Sequence, residues 1–288
     1  MKLQPPRSET IRRIARETLR EDLGARGDVT SLATIRADSC SVARMVARDA
    51  GVVCGLEIAS QIFRMVSPHL KVKLKAKDGD HVGRGKVILE AKGGTRAILT
   101  AERAALNFVQ QLSGIATLTR EFVRRAGRRV RILDTRKTTP LLREFQKYAV
   151  RCGGGMNHRF GLHDMVLIKD NHLAALASLS NPIDSAVRRA RRKWPGLKVE
   201  VECDTLEQVR RALEVNPDIL LLDNMTSPQL KKAVEIVKGR CKIEASGGVN
   251  LKTVRAIAQS GVDFISVGAL THSAPAWDVS LEIVTGRE

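Results

Sequence analysis

From Val130 onward, short apolar runs rich in Val, Ile and Leu alternate with stretches of helical periodicity, and this alternation constrains the fold more than any other feature. Runs that are apolar on both faces and separated by helices are the strands of a buried parallel sheet. Six such runs are read: Val130–Leu133, Met165–Ile168, Val199–Val201, Ile219–Leu222, Lys242–Glu244 and Phe264–Val267. The last four recur at about 20 residues, room for a strand, a helix and two turns. The expected fold class is α/β, with a C-terminal α/β barrel over residues 114–274 of fewer than the usual eight strands.

The upstream part reads differently. Ser8 is placed as the N-cap of an amphipathic helix that sets Ile11, Ile14 and Leu19 on one face and ends near Gly24. Val42–Val46, Val52–Cys54 and the alternation of Leu70, Val72 and Leu74 with Lys71, Lys73 and Lys75 predict strands, the lysines forming a solvated face. Asp78-Gly79-Asp80 is read as the turn into Val87–Leu89. A long helix follows from Thr100 to Arg125, with Gly114 as a candidate break. Residues 1–113 are therefore expected to form an α+β open sandwich, with the C-terminal tail 275–288 packing back on it.

Composition narrows the function classes. The net charge of +18, from 49 Lys plus Arg against 31 Asp plus Glu, favours anionic partners. Composition argues against single-strand nucleic-acid binding, because one Tyr, two Trp and six Phe supply few stacking surfaces and none alternates with the basic residues. The runs Arg188–Lys193 and Arg124–Arg129 are read as solvated faces, Trp194 lying on the apolar side of the first. Five cysteines without a Cys-x-x-Cys pair are read as buried reduced thiols. The polar stretch from Met1 to Thr10 has no apolar core of the secretory kind, and nowhere do about 18 apolar residues run together. A cytoplasmic protein with no membrane partner is expected.

In barrels of this type the C-terminal strand ends carry the chemistry. Here they deliver Arg136 and Lys137, Lys169 and Asn171, Glu202, Asp223 and Asn224, Ser246-Gly247-Gly248, and Gly268-Ala269. Between Leu133 and His172 the cations arrive in bursts, including Lys147 and His158-Arg159, as a polyanion pocket requires. Arginine grips a carboxylate bidentately and lysine serves as a compact charge. Glu200 and Glu202, two apart in a strand, point to one side, and Glu202 with Asp223 suits Mg²⁺ held through water or ribose hydroxyls. Their alternative use is pairing with Lys137 or Lys169. The terminal glycines, with helices expected near Leu251 and after Ser273, suit a phosphate.

The chain resembles the quinolinate phosphoribosyltransferase family, also called nicotinate-nucleotide pyrophosphorylases (carboxylating). The likeness rests on Glu21–Gly24 with Gly27–Thr30, Ala101–Arg103 to Asn107-Phe108, Asp134–Pro140, Gly153–Arg159, Lys169–His172, Glu200–Glu202, Leu222–Asn224, Glu244–Gly248 and Val267–Thr271, and covers nearly the whole sequence. The resemblance implies transfer of phosphoribosyl from 5-phosphoribosyl 1-diphosphate to quinolinate with loss of CO₂, giving nicotinate mononucleotide for NAD biosynthesis, with Mg²⁺ as cofactor. It implies that Thr135, Arg136, Lys137, His158, Arg159 and Lys169 hold quinolinate, joined by Arg103 from the partner of a homodimer. Lys137, Glu202, Asp223, Ser246, Gly247, Gly248, Val267, Gly268 and Ala269 would take the diphosphate sugar. Lys137, Lys169, Glu202 and Asp223 would carry catalysis, the two acids holding Mg²⁺ indirectly. Leu141 departs from the family, whose members carry Gly after the proline. The alternatives are a related enzyme of the molybdenum-uptake type, one using nicotinate, or a basic nucleic-acid-binding protein.

Overall fold

The computed structural model describes residues 3–284; the last four residues of the C-terminal tail, 285–288, lie outside that range, as do residues 1–2. The chain divides into two compact units, one of residues 1–120, 140–154 and 274–288, the other of 121–139 and 155–273.

The first unit contains α1 (Ser8–Leu23), α2 (Val29–Thr34), β1 (Cys40–Ala47), β2 (Gly51–Val52), α3 (Leu56–Val66), β3 (Lys71–Leu74), β4 (His81–Val82), β5 (Val87–Gly94), most of α4 (Thr95–Ala126), α5 (Arg143–Cys152) and β12 (Val279–Ile283). Four strands form an antiparallel sheet in the order β12-β1-β5-β3, so the tail strand β12 pairs with β1. Helix α1 buries Ile11, Ile14, Ala15 and Leu19, as its period demands, and stops at Gly24 in a positive-φ conformation.

Several local expectations change for non-local reasons. Ser8 is the first helical residue rather than the cap; Arg7 holds the cap position, and its N–H donates to the Glu144 carboxylate of α5 at 2.6 Å. The Asp78–Asp80 turn leads into β4, which pairs with β2, while β3 pairs with β5. Strand β3 lies at the sheet edge, and Leu74 is exposed along with Lys71 and Lys73. Helix α4 runs unbroken through Gly114, because a Cβ there would come within 2.0 Å of the Pro275 carbonyl oxygen: the glycine admits a crossing chain.

The second unit contains β6 (Arg131–Leu133), β7 (Val166–Ile168), α6 (Asp170–Ala174), α7 (Pro182–Lys193), β8 (Val199–Cys203), α8 (Leu206–Leu213), β9 (Ile219–Asp223), α9 (Ser227–Val237), β10 (Lys242–Ser246), α10 (Val254–Ala258), β11 (Phe264–Ser266) and α11 (Ala269–His272). Its six strands are the six read from the sequence. All neighbours are parallel, in the order β6-β11-β10-β9-β8-β7. The end strands β6 and β7 are consecutive in the chain, and among the described residues no backbone ladder joins them. Ile132, Val201, Leu220, Leu222, Ile243 and Ile265 are buried, as central parallel strands require.

Asn181 caps α7 by accepting the Asp184 N–H, and Pro182 opens the helix. Its basic residues face solvent, but Trp194 does too, at 55% exposure, since α7 ends before it. Cys54, Cys152 and Cys203 are buried thiols, whereas Cys40 is exposed and Cys241 half-buried; all five are free. Among the described residues no helix is long and apolar enough to cross a membrane.

Candidate active site

The register of the parallel strands brings their C-terminal ends level, Ser246 of β10 lying opposite Asp223 of β9. At this rim a cavity of about 710 Å³ opens within the second unit. Thr135, Arg136, Lys137, His158, Arg159 and Lys169 line one part of it. Asp223, Ser246, Gly247, Gly248, Val267, Gly268 and Ala269 line it as well. Several of the residues singled out from sequence do not line it. Glu202 sits behind Lys169, its Oε2 2.7 Å from Nζ, and is 8% exposed. Arg103 stands exposed on α4 in the first unit. Lys147 is 3% exposed within α5, also in the first unit, and takes no part in the rim.

The cationic wall is built by a loop tied back to β6. Met156 forms a parallel bridge with Leu133, and its N–H donates to the Ile132 carbonyl at 2.8 Å. The fully buried Asp134 carboxylate then accepts the His158 N–H at 3.0 Å and a bond from the Asn157 amide. This anchoring fixes the backbone from which His158 and Arg159 project. Arg159 donates from Nη1 to the Met165 carbonyl at 3.1 Å. Partial burial, and then the nearby Arg136, hold its guanidinium below the ordinary value.

Beneath this wall lies a group of buried side chains. His158 Nδ1 accepts the Arg159 N–H at 2.7 Å, which leaves the proton on Nε2. Nε2 lies 3.1 Å from Glu200 Oε2 and 3.5 Å from Glu244 Oε1. Both glutamates are at most 1% exposed. Burial first, and the neighbouring Glu200 charge second, push the Glu244 carboxyl up to about 8, so it keeps a proton at neutral pH. The sequence reading missed Glu244 as a lining residue. An acid in the middle of an alternating strand reads alike whether it faces water or the interior.

The opposite wall is shaped by glycines. At Gly247, φ +87°, an added Cβ would lie 2.2 Å from Asn224 Oδ1 and 2.7 Å from its backbone nitrogen, so only glycine admits this contact. Asn224 itself donates from its N–H to the Ser246 carbonyl at 2.9 Å and from Nδ2 to Asp223 Oδ2 at 2.6 Å. Gly268 makes room for the Lys137 side chain, whose Cδ would lie 3.1 Å from a Cβ. Thr271 donates to the Lys137 carbonyl at 2.7 Å, fixing that backbone against α11. The helices fall elsewhere than expected: α10 begins at Val254, and α11 begins at Ala269, directly after the glycine, ending at His272 before Ser273. His272 also lines the cavity, a residue the sequence reading did not name.

The cavity therefore gathers Arg136, Lys137, Arg159 and Lys169 with Asp223 and the small residues of the last two strand ends. Such a surface is suited to an anionic ligand with several oxygens.

Comparison with known proteins agrees with this geometry. Residues 115–282 match the family described as quinolinate phosphoribosyl transferase, C-terminal domain, and residues 28–113 match its N-terminal domain. The chloroplastic nicotinate-nucleotide pyrophosphorylase [carboxylating] of Arabidopsis thaliana is 44% identical, covering 99% of this chain and 86% of that protein. A probable nicotinate-nucleotide pyrophosphorylase [carboxylating] of Bacillus subtilis is 41% identical over 93% of this chain and 91% of its own length. The solved structure of the nicotinate-nucleotide pyrophosphorylase from Francisella tularensis superposes with a TM-score of 0.92 at 38% identity, covering 99% of both chains. With both domains matched and relatives of this similarity aligned end to end, the chain belongs to the quinolinate phosphoribosyltransferase family.

Proposed function

We propose that this protein transfers phosphoribosyl from 5-phosphoribosyl 1-diphosphate to quinolinate with decarboxylation, forming nicotinate mononucleotide, diphosphate and CO₂ in NAD biosynthesis. The observation that carries the reading is the pairing of Arg136 and Arg159 with Lys137 and Lys169 around one cavity. A dicarboxylate ring needs that many cations; nicotinate, with one carboxylate, would leave part of the charge unmatched. Thr135 and His158 complete the quinolinate wall, the imidazole held in place by Glu200 and Glu244.

The diphosphate sugar lies along Lys137, Asp223 and the backbone of Ser246, Gly247, Gly248, Val267, Gly268 and Ala269. Asp223, which lines the cavity beside the Asn224 amide, would hold Mg²⁺ through water, and Glu202, paired with Lys169 at 2.7 Å, would act on the ion only indirectly. When bound, the ion neutralises charge on the leaving diphosphate. Lys137 stabilises the same leaving group, and the carboxylates stabilise positive charge developing at the ribose carbon. The ring nitrogen bonds to that carbon as the bond to diphosphate breaks. The adjacent carboxylate then leaves as CO₂, its electron pair drawn toward the quaternised nitrogen, and a proton takes its place on the ring.

The protein acts as a homodimer in which Arg103 reaches the neighbouring subunit's quinolinate. In support, Arg103 is exposed and has no ion-pair partner among the described residues. A cytoplasmic location belongs to the same reading, supported by five free thiols.

Calorimetric titration of Arg136→Ala and Arg159→Ala tests the assignment. Each variant is expected to weaken quinolinate binding by roughly tenfold or more, the loss of a charge-assisted pair, while phosphoribosyl diphosphate binding stays close to wild type. Equal losses for both ligands would refute the division of the cavity.

A further inference from the structure

A second strongly charged concavity lies at the other end of the parallel strands. Its walls are the segment that ends α4 and precedes β6, and the segment from Leu251 to Asp263 that carries α10 and leads into β11, so it reaches the N-terminal ends of β6 and β11 and shares no lining residue with the catalytic cavity. It encloses about 1130 Å³. Arg124, Arg125, Arg128 and Arg129 come from the first wall, and Lys252 and Arg255 from the second. The walls are tied together by Arg125, whose Nη1 donates to the Leu251 carbonyl at 2.7 Å.

Carboxylates do not balance these charges. Glu121 pairs with both Arg124 and Arg125, so one acid serves two guanidiniums. Asp263, the acid of the lining, pairs with Lys242. Among the described residues Arg128, Arg129, Lys252 and Arg255 have no acidic partner, and all four are exposed. Cations gathered on a concave surface from two separate segments raise the local potential well above that of a solvated helix face, and guanidinium forks match phosphate oxygens in pairs. No aromatic side chain lines the site, so nothing there stacks on a base.

We propose that this concavity is a binding site for a small anion bearing a chain of two or more phosphate groups, recognised through its phosphates alone and separate from the catalytic cavity. Inorganic polyphosphate and the phosphate chain of a nucleotide share that chemistry. The bounded concavity favours a small ligand over a nucleic-acid duplex, which would need a stripe of cations along its backbone.

The test is calorimetric titration of the full-length protein with inorganic tripolyphosphate at about 0.1 M salt, where longer-range attraction is largely screened. The triple variant Arg128→Ala/Arg129→Ala/Arg255→Ala is compared with a control of equal charge loss on the outer face of α7, Arg188→Ala/Arg191→Ala/Arg192→Ala. The concavity variant is expected to lose about tenfold or more in affinity and the control less than about threefold. Adenosine triphosphate is expected to bind within about threefold of tripolyphosphate, since no group reads the base. Equal losses in the two triple variants would reduce the effect to net charge and overturn the proposal. So would wild-type affinity weaker than about 1 mM, or a preference of more than about tenfold for adenosine triphosphate. Tighter binding of a 20-base-pair DNA duplex that vanishes in the concavity variant would also overturn it, assigning the surface to nucleic acid.

Discussion

Leu141 occupies the left-handed region at φ 65° with 75% of its surface exposed. The conformation that glycine would adopt freely after Pro140 is kept here by a residue that pays for it: left-handed backbone costs a side-chain-bearing residue about 1–2 kcal/mol. Exposure gives no packing to offset that cost. Leu141→Gly is therefore expected to stabilise the protein by up to about 1 kcal/mol after the glycine's greater unfolded-state entropy is subtracted, read as a higher midpoint in equilibrium urea unfolding; a lower midpoint would contradict this account. Glu244 gives a pH signature. Its carboxyl sits near 8 in the folded state and would return to an ordinary carboxylate value on unfolding, so between those limits the native state holds the extra proton. Stability contributed by this group is present at low pH and is lost as pH rises toward 8, at a slope of about 1.4 kcal/mol per pH unit at most. In Glu244→Gln the unfolding free energy should decline less over about pH 5–8; an unchanged slope would show that another group holds the proton. Arg136, Lys137, Lys169 and Asp223 were legible in sequence because charges directly after apolar runs stand at strand ends. Asp134 and Glu244 were not recognised, since their burial depends on neighbours far away in the chain.

At the level of elements, the six parallel strands were readable because strands covered on both faces must be apolar throughout. Their helices were readable where caps are local, as at Asn181-Pro182. Elements shaped by distant segments were misread. Gly114 has the sequence signature of a helix break, yet α4 continues through it because the chain at Pro275 passes where a side chain would stand. Alanine has the higher helix propensity by roughly 1 kcal/mol, but overpacking against a backbone carbonyl typically costs about 1–3 kcal/mol or more. Gly114→Ala is accordingly expected to lower the thermal midpoint by several degrees. An increase would mean that propensity outweighs the close approach. The early start of α11 has a similar origin: Thr271 bonds to the Lys137 carbonyl in the loop after β6, a contact that local sequence does not announce.

Across the whole molecule, the +18 charge separates into places with different consequences. Part of it faces the catalytic cavity, where Arg136, Lys137, Arg159 and Lys169 match a dicarboxylate and a diphosphate. Part lies on solvated faces such as α7, and part gathers at the opposite end of the strands around Arg128 and Arg255. Composition could report only the sum; the parallel topology divides it, because every strand end of one kind faces the same way. The domain match at both ends of the chain and the cationic cavity converge on one reaction, and product analysis tests it most directly. Purified protein is incubated with 5-phosphoribosyl 1-diphosphate, Mg²⁺ and either quinolinate or nicotinate, and CO₂ and nucleotide are measured together. The account predicts equimolar CO₂ and nicotinate mononucleotide from quinolinate and little or no nucleotide from nicotinate. Nucleotide formed from nicotinate, with none from quinolinate, would contradict it.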